Sequence, residues 1–100
     1  MNGISDNRCI KMYDDINVYN QNQIYYGCGN ITDAGKYSNR VGSVELPTRT
    51  CAILHSEKNY SGDFKILCNY SFTRNKIYDR LSSNIDNKMN SIKVFELKEV

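Results

Sequence analysis

The sequence predicts an all-β sandwich built from short antiparallel strands, and three observations carry that reading. Helical periodicity is nearly absent from the 100 residues. Short runs rich in Val, Ile, Tyr and Phe alternate with polar residues, which is the period of a half-buried strand. Clusters of Asn, Asp, Gly and Ser interrupt these runs at intervals of roughly ten residues, the rhythm of a sandwich or barrel.

Taken in order, Cys9-Ile10-Lys11-Met12-Tyr13 alternates and stops at Asp14-Asp15. Gln23-Ile24-Tyr25-Tyr26 follows and stops at Gly27-Cys28-Gly29-Asn30, which reads as a turn at a strand end. It is not a dinucleotide-binding loop, because no helix follows it. Ser43-Val44-Glu45-Leu46 alternates up to Pro47. Cys51-Ala52-Ile53-Leu54, Asp63-Phe64-Lys65-Ile66-Leu67 and Ser91-Ile92-Lys93-Val94-Phe95 repeat the style. Tyr78-Asp79-Arg80-Leu81 is the one helical candidate, a single turn.

The runs repeat. Cys9–Tyr13 matches Cys51–His55 at an offset of about 42, Cys28 matches Cys68 at about 40, and Ser43–Leu46 matches Ser91–Val94 at about 48. The chain therefore reads as two copies of a four-stranded unit, residues 8–47 and 50–98, joined near Pro47-Thr48-Arg49-Thr50. Neither copy is long enough to bury much core alone, so the two are expected to pack as one domain.

The second copy contains His55, then Tyr60 five residues on, then Ser61-Gly62, and later Asp86-Asn87-Lys88-Met89-Asn90-Ser91. This pattern resembles the Greek-key motif of the βγ-crystallin superfamily: an aromatic, a second aromatic, X-Gly, and a Ser opening the fourth strand. The first copy resembles it more faintly, with Tyr13 as the first aromatic, Val18 replacing the second, Asn20 in the Gly position and Ser43 opening the fourth strand. The resemblance implies a sandwich of two Greek keys in two antiparallel sheets. A folded-over hairpin between first and second strands needs positive φ at the Gly, which Asn tolerates best among other residues. The Ser hydroxyl is expected to hydrogen-bond the hairpin backbone.

The resemblance also implies calcium. Many members carry the signature Asn/Asp-Asn/Asp-X-X-Ser/Thr-Ser in each motif, supplying side-chain and carbonyl oxygens of the kind calcium takes. One site would use the Asp14 carbonyl, Asn39, the Arg40 carbonyl and Asn90. The other would use the Ser56 carbonyl, Asp86, Asn87 and the Lys88 carbonyl, with Gly42 in place of a hydroxyl residue. The first signature begins with Ser38, a poor opening residue, and each site lacks an element. Binding on the order of 10⁻⁴–10⁻³ M is the expectation, with the Asp86-Asn87 site the better one.

Cys9 and Cys28 flank one expected hairpin, and Cys51 and Cys68 flank the other. Antiparallel pairing would set each pair opposite, which favours Cys9–Cys28 and Cys51–Cys68 among three connectivities. Four intracellular thiols acting as small core residues remain the alternative. The first twenty residues hold no apolar signal region, which favours a cytoplasmic setting unless a signal has been removed.

Composition narrows the partners. Thirteen Lys and Arg face 11 Asp and Glu, for a net charge of +2, which offers little pull on nucleic acid. Hydrophobic residues make up 40%, and no run approaches the roughly 18 residues of a membrane span. Tyr25, Tyr26, Tyr37, Tyr70 and Tyr78 read as packing rather than as a base-stacking surface. No catalytic motif is present, and the single histidine, His55, is a packing residue in the hairpin. The expected function is non-enzymatic, structural or calcium-responsive. The rival is a secreted, disulfide-bonded protein of the killer-toxin or proteinase-inhibitor type, which shares the fold by resemblance. Three sequons, at Asn30, Asn59 and Asn69, are of the kind that arises by chance in an Asn-rich chain.

Overall fold

The computed structural model describes residues 8–14, 24–35, 38–78, 80–82 and 84–97. Its strands are β1 (Cys9–Tyr13), β2 (Ile24–Cys28), β3 (Asn30–Ile31), β4 (Ser43–Leu46), β5 (Thr50–Glu57), β6 (Ser61–Asn69), β7 (Lys76–Tyr78) and β8 (Ser91–Glu96). They form two four-stranded sheets, ordered β2-β1-β4-β7 and β3-β8-β5-β6. All the pairings are antiparallel.

The order explains why the two copies do not separate. β1, β2 and β4 of the first copy share their sheet with β7 of the second, while β5, β6 and β8 of the second take in β3 of the first. Each copy thus lends its third strand to the other's sheet. Three residues of β3 and β7 make this exchange readable: Ile31 pairs with Ile92, and Ile77 and Tyr78 pair with Glu45 and Val44.

Alternation sends one face of β1, β4, β5 and β8 inward. Ile10 and Met12 from β1, Val44 and Leu46 from β4, Ala52 and Leu54 from β5, and Ile92 and Val94 from β8 fill the space between the sheets. Val41, Leu81, Ile85 and Met89 close the core from the loops. Burial of each large aliphatic side chain contributes about 1.5–3 kcal/mol.

Several boundaries differ from the sequence reading. β2 runs through Gly27 and Cys28, because both pair with β1 opposite Ile10 and Cys9. The region expected to turn therefore begins only at Gly29, which takes φ of 65°. Tyr78 belongs to a strand rather than a helical turn. Its pairing with Val44 and a hydrogen bond from its hydroxyl to Cys68 O (3.0 Å) override the local helical preference. A short helical turn lies at Lys58–Tyr60.

The connection between the copies is held by Asn69. This buried side chain donates from Nδ2 to Pro47 O (3.0 Å) and Arg74 O (2.8 Å) and accepts from Ser71 N–H (3.0 Å). An amide so engaged is closed to glycosylation, which removes one sequon. Among the described residues, no helix is long and apolar enough to cross a membrane.

Candidate metal centre

Two loops, one before β4 and one before β8, face each other across the repeat. Asn39 and Asn87 occupy equivalent places and both take the left-handed conformation, with φ of 61° and 56°. Asn reaches this region at least cost among non-glycine residues. Each donates its backbone N–H across to the other loop, Asn39 to Met89 O (3.1 Å) and Asn87 to Val41 O (2.9 Å). Next along, Gly42 N–H donates to Tyr13 O (3.0 Å) and Asn90 N–H to His55 O (2.8 Å). Val41 and Met89 are fully buried and anchor the loops to the core. The result is a pair of equivalent junctions between a hairpin and the two loops.

One junction is filled by Asn90. Its Nδ2 donates to Ser56 O (2.8 Å), Asn39 Oδ1 (2.9 Å) and Lys88 O (3.2 Å). Its Oδ1 accepts from the Ser38 hydroxyl. Asn39 and Asn90 come together as the sequence assigns them. The Ser56 and Lys88 carbonyls, assigned to the other site with Asp86 and Asn87, join them on the same amide nitrogen. The loops exchange N–H groups across the repeat, which brings these oxygens of both copies to Asn90.

At the second junction, Gly42 takes the place of Asn90 and brings no side chain. Repeat equivalence places Asp14 with Ser56, Arg40 with Lys88, Asn87 with Asn39 and Asp86 with Ser38. The Asp14 carboxylate pairs with Arg40 at 3.2 Å, with the Arg40 side chain largely exposed. Asp86 donates its backbone N–H to Ser82 O (2.8 Å), and its Oδ1 is buried without a hydrogen-bond partner.

The hairpin of the second copy is locked by Ser91. Its buried hydroxyl donates to Glu57 O (2.6 Å) and accepts from Tyr60 N–H (2.9 Å). Asn59, Tyr60 and Gly62 all have positive φ, 58°, 60° and 80°. The His55 ring meets Tyr60 edge-on, with centroids 5.9 Å apart, and Phe64 at 6.0 Å. Lys93 Nζ lies 4.5 Å from the Tyr60 ring centroid. Burial, and secondarily the Lys93 charge, hold the His55 pKa below its ordinary value. In the first copy, Tyr13 is buried and its hydroxyl lies 3.3 Å from Glu45 Oε1. Burial and that carboxylate push its pKa up. Ser43 is fully buried at the start of β4. Asn20 and Tyr37 lie outside the described residues. The cysteines are bonded as Cys9–Cys28 and Cys51–Cys68, each pair directly opposite across its hairpin.

No family model and no curated protein matches the chain. Solved structures do. The N-terminal domain of protein S aligns at 24% identity over 91% of this chain and 99% of its own, with a TM-score of 0.70. A βγ-crystallin domain from Flavobacterium johnsoniae aligns at 19% identity over 91% and 98%, with a TM-score of 0.69. Spherulin 3A from Physarum polycephalum aligns at 19% identity over 100% and 94%, with a TM-score of 0.68. The chain has the βγ-crystallin domain fold.

Within the βγ-crystallin fold, the two junctions differ in how well they fit calcium. At the Asn90 junction the two amide protons are shared among three oxygens, none of them a carboxylate. Beside the Gly42 junction, by repeat equivalence, stands Asp86, whose Oδ1 is buried with no hydrogen-bond donor. Among the described residues, no three His, Cys, Asp or Glu side chains come together. A metal held here would therefore be an oxygen-seeking cation, bound largely by carbonyls and amides.

Ser38 and Lys93 are the site residues that sequence reasoning undervalued. Ser38 is a poor opening residue for a calcium signature, and in the structure its hydroxyl holds the Asn90 carboxamide. Lys93 lies on the same face of β8 as Ser91 two residues earlier, and its ammonium reaches the Tyr60 ring of the hairpin that Ser91 locks. Tyr25 and Tyr78 lie on opposite edges of one sheet and pack against the core, whereas Tyr26 and Tyr70 are exposed.

Proposed function

We propose that this chain is a non-enzymatic structural protein that takes calcium weakly at the Gly42 junction. Asp86, Asn87 and the Asp14 and Arg40 carbonyls would hold the ion, which would tie the first hairpin to the loop before β8. The observation that carries this reading is the buried Asp86 Oδ1 without a partner. One carboxylate and a neighbouring Arg40 keep the affinity low, on the order of 10⁻⁴–10⁻³ M. Calcium at ten times its dissociation constant would stabilise the fold by about 1.4 kcal/mol through mass action. Calorimetric titration of the protein and of Asp86→Ala tests it. Heat of binding in the parent and none in the variant is expected. No heat at millimolar calcium in the parent rejects the reading.

The two disulfides favour a second reading, a secreted protein of the killer-toxin or proteinase-inhibitor type, because such bonds persist in oxidising compartments. Thiol titration of the denatured, unreduced protein from its native source separates the two settings. Four free thiols would exclude the secreted type.

A further inference from the structure

We propose that the Asn90 carboxamide is a built-in cation surrogate that closes one of the two junctions without an ion. Three oxygens, Asn39 Oδ1, Ser56 O and Lys88 O, converge on a single atom, Asn90 Nδ2, at 2.8–3.2 Å. Oxygens brought together in this way repel unless positive charge lies between them, and the two amide protons provide it. Calcium would need to approach the same oxygens to roughly 2.3–2.6 Å, which places it where Nδ2 already is. Admitting it would require turning the carboxamide so that Oδ1 faces the ion. That turn breaks the bond from the Ser38 hydroxyl and, without the ion, sets four oxygens against one another.

The second junction lacks this device for a simple reason. Gly42 occupies the place of Asn90 and has no side chain, while Asp86 replaces the neutral Ser38. One junction is thus neutral and internally bonded, while the counterpart of Ser38 at the other is Asp86, whose Oδ1 is buried without a hydrogen-bond partner. The pair is an asymmetric one in which the first half stays closed whatever the calcium concentration. This deepens the calcium reading and rests on it for the open junction, but closure by Asn90 stands independently of it.

The test is calcium stoichiometry by calorimetry for the parent, Asn90→Asp and Asn90→Ser, with circular dichroism as the check on folding. Both variants remove the N–H₂ group: Asn90→Asp puts an oxygen in its place, and Asn90→Ser leaves a shorter hydroxyl at the same position of the loop. The expected result is one ion for the parent and one more for the variants. A parent that binds none beside a variant that binds one would uphold the surrogate and reject the calcium reading. Two ions on the parent, or no gain in a folded variant, would overturn the surrogate. Should neither variant fold, the parent still decides by nuclear magnetic resonance. The Asn90 side-chain amide protons should exchange slowly and keep their shifts in saturating calcium. Rapid exchange in the absence of calcium, or displacement on adding it, would overturn the proposal.

Discussion

Ser91 holds the folded hairpin from both sides, its hydroxyl donating to Glu57 O at 2.6 Å and accepting from Tyr60 N–H at 2.9 Å. The loop between these two groups contains consecutive residues of positive φ, Asn59 and Tyr60. Such a conformation is costly for a bulky residue and persists because the surroundings fix it. Replacing Ser91 with Ala removes both bonds inside a buried site. The expected loss is about 1–3 kcal/mol in urea unfolding. An unchanged midpoint would mean that the hairpin holds itself.

Gly62 makes the same hairpin turn possible. Its φ is 80°, and an added Cβ would overlap Ser56 Oγ and the Glu57 side chain. Gly62→Ala should cost about 1–3 kcal/mol in denaturant unfolding. The Ser56 hydroxyl also accepts from Asp63 N–H (2.9 Å), so displacing it loses a second contact. A stability equal to that of the parent would count against this geometry.

The disulfides close loops with sequence separations of 19 and 17 residues. In the chain-entropy model each stabilises by about 3 kcal/mol. Reduction with dithiothreitol should therefore lower the denaturation midpoint sharply, and removal of either pair by Cys→Ser substitution should lower it in part. A reduced protein as stable as the oxidised one would contradict this.

His55 gives the fold a pH dependence. Its pKa lies below the ordinary value of 6.5 because burial, then Lys93, disfavours the charged form, and Nδ1 has no partner. The unfolded chain therefore binds the proton more readily. The contribution to stability is complete above about pH 6.5 and is lost as pH falls toward the folded pKa. Urea unfolding between pH 5 and 8 should show this decline, and His55→Tyr should lose that component. A stability that rises as pH drops below 6.5 would reverse the sign and reject the assignment.

Much of the fold was legible because strand alternation and the repeat were both local signals. Ile10 and Met12, or Ile92 and Val94, announce their inward faces by parity alone. The exchange of β3 and β7 between sheets was not legible, since strands of two and three residues carry almost no period. Tyr78 illustrates the cost: its local sequence suggested a helical turn, and only pairing with Val44 makes it a strand. Asn39 and Asn87 stand out by type and position, yet which hairpin each faces depends on how the loops cross. The role of Asn90 was hidden for the same reason. An amide in place of a hydroxyl reads as an imperfect ligand until its nitrogen is seen against three oxygens.

The two junctions are unequal, and mapping calcium onto backbone amide signals by nuclear magnetic resonance tests that inequality most directly. Calcium is expected to move the signals of Asp14, Arg40, Gly42, Asp86 and Asn87 while those of Ser38, Asn39, Ser56 and Asn90 stay in place. Shifts centred on Asn39, Ser56 and Asn90, or none at either junction at millimolar calcium, would contradict it.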